Sequence, residues 1–129
     1  MRQILAVAGI LRRKGKFLIA ERPAGKIMAG YWEFPGGKPE AGETLPQALE
    51  RELEEELGIT VTAAEHWRTV SHRYAHGQVT LHVFFVSSFT GEPAPLEGQT
   101  LRWVTPSEAL SLNLLPVDFP LVRDIAALG

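Results

Sequence analysis

The sequence contains no cysteine and no long apolar run, and its charge is nearly balanced. Without cysteine, disulfide frameworks, Cys-ligated zinc, iron–sulfur clusters and thiol catalysis are excluded. No apolar run approaches the roughly 18 residues that a membrane span needs. The formal net charge of −2, from 13 basic and 15 acidic residues, provides no basic field for long nucleic acid. We therefore expect a soluble, cytoplasmic protein that binds neither membranes nor long nucleic acids.

The 129 residues, 45% of them hydrophobic and 22% charged, suit one globular domain, predicted over residues 1–129. Alternating and β-branched runs predict strands over residues 4–11, 17–20, 60–64, 67–74, 79–89 and 101–104. Helices are predicted over residues 45–57, after Thr105, and near residues 120–128. The expected fold class is α/β (α+β), with strands and a few helices in one domain.

The clearest predicted helix follows Thr44, which forms a capping-box pattern with Gln47. Leucines recur every four residues along it and predict one buried stripe. Gly58 is a typical residue for the C-terminal cap. The leucines are Leu45, Leu49, Leu53 and Leu57.

Acidic residues are concentrated in this region, with seven of the fifteen between Glu40 and Glu56. Glu52, Glu55 and Glu56 stand at helical spacings i, i+3 and i+4 and therefore share one face. Clustered carboxylates repel one another, and a hard divalent cation would reverse that cost. A solvated acidic face is the alternative interpretation of such a cluster.

The residues around the glutamates make a longer pattern from Gly37 to Ile59. It has the form G-x5-E-x7-R-E-U-x-E-E-x-G-U, where U is a bulky aliphatic residue. Its nine specified positions are Gly37, Glu43, Arg51, Glu52, Leu53, Glu55, Glu56, Gly58 and Ile59. This pattern, over residues 37–59, resembles the Nudix box of the Nudix hydrolases. The resemblance implies a mixed sheet between helices, with the box as a loop–helix–loop.

The same resemblance implies Mg²⁺- or Mn²⁺-dependent hydrolysis of a nucleoside diphosphate linked to another group. Metal-activated water and neutralised phosphate oxygens are what such phosphoryl transfer needs. Glu52 is then the expected general base, and Arg51 is expected to orient the glutamates and pair with Glu43. The implied metal ligands are Gly36, Glu52, Glu55, Glu56 and Glu97.

Beyond the box, the approach Trp32–Lys38 is similar to that of MutT-type enzymes, which cleave 8-oxo-dGTP to its monophosphate and pyrophosphate. The similarity implies that the substrate-binding residues are Arg22, Glu33, Phe34, Pro35, Gly36, Gly37, Lys38 and Asp118. Those enzymes read the base with an asparagine where this chain has Asp118. An ionised aspartate offers acceptors alone, so 8-oxo-dGTP requires a protonated Asp118 or contact with base N–H groups, whereas the amine of cytosine suits an ionised one.

We therefore expect an 8-oxo-dGTP diphosphatase, with a CTP or modified dCTP pyrophosphohydrolase as the alternative. A non-catalytic nucleotide-binding domain of the same family is a further alternative. The partner expected is a small nucleotide, with a monomer favoured and a dimer open. Asp118 has a second interpretation as the N-cap of the last helix. Tyr74 and Trp103 are expected to serve packing. The four histidines are expected to be structural or surface residues and not metal ligands: His66, His72, His76 and His82.

Overall fold

Seven strands and three helices follow one another in the computed structural model, which describes residues 2–128. Residues 1 and 129 of the predicted domain lie outside the described residues. The strands are β1 (Gln3–Arg13), β2 (Lys16–Glu21), β3 (Trp32–Glu33), β4 (Gly36–Gly37), β5 (Thr60–Tyr74), β6 (Gly77–Thr90) and β7 (Thr100–Val104). The helices are α1 (Leu45–Leu57), α2 (Pro106–Leu110) and α3 (Phe119–Ala127).

The central strand is β1, which runs parallel to β6 from the Gln3–Gln78 pair to the Leu11–Val86 pair. It also pairs antiparallel with β2 and β4, while β7 extends the sheet on β2 and β5 lies antiparallel to β6. The separately predicted strands 60–64 and 67–74 are one strand, β5, with register shifts that include one between His66 and Arg68. Such shifts interrupt the side-chain alternation without ending the strand, which is why the pattern divided it in two.

Both faces of β1 are buried, and each packs against different helices. Val7 and Leu11 belong to the apolar cluster with the leucines of α1, whereas Ala8 and Ile10 belong to the cluster with α3. Because successive side chains of a strand point to opposite faces, the sheet lies between the helices. The expected mixed sheet between helices is thus confirmed.

Helix α1 is fixed at its start by a capping box and along its length by leucines. The Gln47 amide donates to Thr44 Oγ1 at 3.2 Å, and the Thr44 amide donates to Gln47 Oε1 at 2.9 Å. A Cβ atom on Gly9 of β1 would lie 3.0 Å from Leu53 Cδ1. The absence of a side chain at Gly9 therefore lets α1 approach β1 closely, and the acidic face of α1 is held outward from a rigid support.

No helix among residues 2–128 has both the length and the apolarity that a membrane crossing demands.

Replacing Leu53 with alanine should destabilise the fold strongly. Leu53 is completely buried between α1 and β1, so the change removes apolar contacts and leaves a cavity. We expect a loss of about 2–5 kcal/mol in the free energy of unfolding, measured by urea denaturation. Leu110→Ala is the matched control, because Leu110 is also helical but exposed. Equal losses in the two variants would contradict this account of the packing.

Candidate active site

Arg51, in the middle of α1, is the centre of an ion-pair network that reaches the loop before the helix. Its Nε and Nη2 donate to the two carboxylate oxygens of Glu43 at 2.6 and 2.9 Å. Its Nη1 donates to Glu52 Oε1 at 2.9 Å and to Glu55 Oε2 at 3.1 Å. The bond to Arg51 lowers the pKa of Glu43. The network ties the loop before α1 to the helix and orients two glutamates, as the resemblance implies.

Two glycines allow the loop backbone to pass close to the glutamates. A Cβ atom on Gly37 would overlap the carboxylate of Glu52, and one on Gly36 would overlap the carbonyl oxygen of Val7. A side chain at Gly36 would therefore push β4 away from β1, and one at Gly37 would displace the carboxylate of Glu52. Glu52 is held in a partly buried position, and burial raises its pKa despite the nearby Arg51.

Glu56 is the most strongly perturbed carboxylate of α1. Burial, followed by repulsion from Glu33, Glu97 and Glu52, raises the pKa of Glu56 to about 8. The amide of Gly36 donates to Glu56 Oε2 at 3.1 Å. A half-buried acidic side chain beside like charges is a favourable place for a divalent cation, because the cation would offset both the desolvation of the carboxylate and its repulsion by the neighbouring acidic groups.

The loop that carries Glu97 is tied to the end of α1 by Gln99. The buried Gln99 side chain donates to the carbonyl of Glu56 at 3.2 Å and accepts from the amide of Glu97 at 2.9 Å. Glu56, Glu97 and Gly36 line one cavity of about 130 Å³. Glu97 therefore lies beside Glu56 of α1, although the two residues are far apart in the sequence.

These donors fit a hard cation such as Mg²⁺ or Mn²⁺, since they are carboxylates and a backbone carbonyl. They do not all converge in the protein alone: within residues 2–128, no three acidic or histidine side chains surround one point. Glu52 and Glu55 are turned to Arg51, while Glu56 and Glu97 face the cavity. Glu52 and Glu55 each bind Arg51 through one carboxylate oxygen, so the second oxygen of each remains for a cation.

A second cavity, of about 270 Å³, lies beside the first and is lined by β1, β6 and the segment before α3. Asp118 opens into it, with 2% of its surface exposed. Burial raises the pKa of Asp118 well above its usual range. Asp118 does occupy the N-cap position of α3, as the second interpretation predicts. Its side chain makes no capping hydrogen bond, however, so capping is not the role of the carboxyl group. A buried carboxyl without a partner in the described chain is available to a ligand.

The two cavities meet at Arg22, Glu33 and Gly36, which line both. Arg22 Nη1 donates to the two Glu33 oxygens at 3.0 and 3.2 Å, and its Nε donates to the carbonyl of Ile27 at 2.7 Å. Burial raises the pKa of Glu33, with Arg22 opposing the shift. This ion pair fixes the boundary between the two cavities and holds the loop that begins at Arg22.

The remaining residues predicted to bind substrate do not all lie at the cavities. Phe34, Gly37 and Lys38 line the larger cavity. Phe34 is also buried against Phe17, with ring centroids 5.3 Å apart, so it serves the core as well. Pro35 is buried and lines neither cavity among the described residues; its carbonyl accepts from the Gly9 amide at 2.9 Å.

Sequence reasoning did not predict several residues that line these cavities, among them Tyr74, His76 and Lys26. Tyr74, expected to serve packing, and His76, expected to be a structural or surface residue, line the larger cavity, and Lys26 lines the smaller. Tyr74 also accepts a hydrogen bond from the amide of Val117 at 3.1 Å. No local pattern marks these residues, because the pairing of distant strands brings them to the cavity.

Comparison with known proteins agrees with this geometry. The family model of the NUDIX domain matches residues 6–124. The chain is 47% identical over 132 residues to a CTP pyrophosphohydrolase of Escherichia coli K12, covering 99% of this chain and 95% of the relative. It is 41% identical over 102 residues to an 8-oxo-dGTP diphosphatase of Haemophilus influenzae, covering 78% of this chain and 75% of the relative.

The fold is similar to the solution structure of the E. coli ORF135 protein, with a TM-score of 0.85 and 44% identity. That match covers 99% of this chain and 91% of the other. With its box glutamates, its metal-compatible donors and these relatives, the chain belongs to the Nudix hydrolase family.

Proposed function

We propose that this Nudix hydrolase is a Mg²⁺- or Mn²⁺-dependent nucleoside triphosphate pyrophosphohydrolase of MutT type. Its first substrate is 8-oxo-dGTP, which it cleaves to 8-oxo-dGMP and pyrophosphate. The observation that carries the proposal is the junction of two unlike cavities. One contains the buried carboxyl of Asp118 among apolar side chains, and the other contains the acidic side chains of Glu56 and Glu97.

The cavities match the two halves of a nucleotide. The larger has apolar walls, including Phe34 and Leu81, which suit a nucleobase. The smaller is acidic and suits phosphates that arrive with a divalent cation. Their shared residues Arg22 and Glu33 then lie near the sugar and the first phosphate.

Glu52 is proposed as the general base. Its carboxylate is held by Arg51, beside the Gly37 backbone, on the face of α1 that carries the other glutamates. From there it would accept the proton of the attacking water. A bound Mg²⁺ or Mn²⁺, held by Gly36, Glu52, Glu55, Glu56 and Glu97, would neutralise phosphate oxygens and acidify that water. Attack at the β-phosphorus is the expectation from the family resemblance.

Asp118 is proposed to read the base in its protonated form. A neutral carboxyl has an O–H donor and a carbonyl acceptor, which is the hydrogen-bonding capacity that an asparagine amide also offers. Its burial favours that neutral form. An ionised aspartate would repel the oxygen atoms of 8-oxoguanine, whereas a protonated one can donate a hydrogen bond to them.

CTP or a modified dCTP is the second candidate substrate. It is favoured by the 47% identity to a protein named CTP pyrophosphohydrolase. We infer that with either substrate the protein acts as a monomeric single domain on free cytoplasmic nucleotides. The alternative of a non-catalytic nucleotide-binding domain is disfavoured, because Glu52, Glu55 and Glu56 are all in place.

A nucleotide panel with Mg²⁺ tests the substrate. We expect the highest kcat/KM for 8-oxo-dGTP among dGTP, 8-oxo-dGTP, CTP, 5-methyl-dCTP and ADP-ribose, with pyrophosphate as a product. Chelation with EDTA should abolish turnover, and Mg²⁺ should restore it. A preference for a cytosine nucleotide would transfer the proposal to the second candidate. Absence of turnover on every triphosphate would refute both.

Replacing Glu52 with glutamine should lower kcat by about 10²–10⁴, because the amide cannot accept the proton of water. The melting temperature and the affinity for 8-oxo-dGMP should change little, since the side chain keeps its shape. Glu54→Gln is the matched control: it makes the same change on the same helix at an exposed position. Turnover of Glu52→Gln within a few-fold of the parent would remove Glu52 as the base.

Replacing Asp118 with asparagine should stabilise the protein increasingly as the pH rises above about 4. The raised pKa means that folded Asp118 keeps its proton where the unfolded chain has lost it. The free energy of unfolding of the parent therefore falls as the pH rises, until the pH reaches the pKa of folded Asp118. Asparagine does not titrate, so the variant does not lose this stability. The difference should grow by at most about 1.4 kcal/mol per pH unit.

The measurement is urea denaturation of parent and variant from pH 4 to 8. Asp124→Asn is the control for removal of one carboxylate, because Asp124 is ion-paired with Arg68. A stability difference for Asp118→Asn that is constant with pH would show that Asp118 is ionised when folded.

A further inference from the structure

Tyr74 connects two parts of the larger cavity that are distant in sequence. It is the last residue of β5, and its ring lines the cavity. Its hydroxyl oxygen accepts a hydrogen bond from the backbone amide of Val117, 43 residues later, at 3.1 Å. Val117 immediately precedes Asp118, so this bond fixes the chain at the residue proposed to read the base.

The segment before α3 has a second anchor on its other side. The amide of Leu115 donates to the carbonyl of Trp32 at 2.9 Å, and the amide of Trp32 donates to the carbonyl of Asn113 at 2.7 Å. The amide of Asp118 donates to the Leu115 carbonyl at 2.9 Å, which closes a turn. Asp118 is therefore held between β3 on one side and Tyr74 on the other.

The hydroxyl of Tyr74 has a proton to give. Its oxygen acts as the acceptor toward Val117, and the side chains and backbone of residues 2–128 accept no hydrogen bond from its O–H. The phenol remains protonated, since burial, with Asp118 and Glu33 nearby, raises the pKa of Tyr74. An O–H donor without a partner in the chain, at the wall of a cavity, is available to a ligand.

We propose that Tyr74 is a specificity-determining residue, which donates its O–H to a carbonyl oxygen of the nucleobase and holds Asp118 beside it through Val117. The inference rests on the proposed function and names the bases that the cavity favours. 8-Oxoguanine and cytosine carry carbonyl oxygens, whereas adenine has none. The hydroxyl therefore selects bases with a carbonyl group over adenine.

Tyr74→Phe tests this role, with Tyr31→Phe as the matched control. The chain has two tyrosines, and Tyr31 is the exposed one, which lines neither cavity. Calorimetry would measure the dissociation constants of 8-oxo-dGMP, dCMP, dAMP and inorganic pyrophosphate, each with Mg²⁺. Tyr74→Phe should weaken 8-oxo-dGMP and dCMP roughly tenfold, the effect of one hydrogen bond, and leave dAMP and pyrophosphate within twofold.

Kinetics and hydrogen exchange complete the test. For the best triphosphate, Tyr74→Phe should raise KM with little change in kcat, and the Val117 amide should exchange its proton faster. Equal weakening of all three monophosphates, or unchanged affinity for 8-oxo-dGMP and dCMP, would overturn the proposal. Binding is compared below the unfolding transition of each variant, so lost stability does not imitate lost affinity.

The outcomes for Tyr74 and for the proposed function are separable. If the parent protein binds base-bearing monophosphates but cleaves no triphosphate, the proposed reaction is wrong. The comparison of dissociation constants then still tests the role of Tyr74 in base binding. If the parent binds no monophosphate, the proposal for Tyr74 fails, whereas the proposed reaction is still decided by turnover of the nucleotide panel.

Discussion

The bidentate ion pair between Arg51 and Glu43 is the contact on which the geometry of the active site depends. It joins the loop before α1 to the helix, and the same guanidinium reaches Glu52 and Glu55. A planar guanidinium is suited to this, because its donors diverge in fixed directions. Gly37 complements it, since the loop passes so close to Glu52 that a side chain at Gly37 would displace the Glu52 carboxylate. The glutamates are therefore positioned before any metal or substrate arrives.

A second constraint is the burial of acidic groups at two adjoining cavities. Glu56 is half-buried beside other acidic side chains, and both burial and their repulsion raise its pKa. Asp118 is almost completely buried, and burial is the main cause of its raised pKa. Burial thus favours the protonated form of both carboxyl groups, whereas a divalent cation bound beside Glu56 would favour its ionised form. Arg22 and Glu33 line both cavities and form an ion pair with each other.

Some interpretations made from the sequence depended on context that a linear pattern lacks. The bulges of β5 made one strand resemble two. Asp118 has the sequence position of a helix cap, yet its carboxyl turns to the cavity. Tyr74 was assigned to packing, and its ring does lie against His72, but its hydroxyl is bound to a loop 43 residues away.

The sequence by itself determined the features whose cause is local. Helix α1 begins and ends where its capping residues and its leucine spacing predicted, and the box glycines and glutamates are placed by helical periodicity and by the turn before the helix. Tertiary structure alone decided which distant groups meet: Arg22 with Glu33 across a loop, Glu97 beside Glu56 through Gln99, and Tyr74 with the segment of Asp118. The reason is physical. Helix geometry and capping act over a few residues, whereas the burial and charge of a side chain depend on strand pairings between segments far apart in the chain.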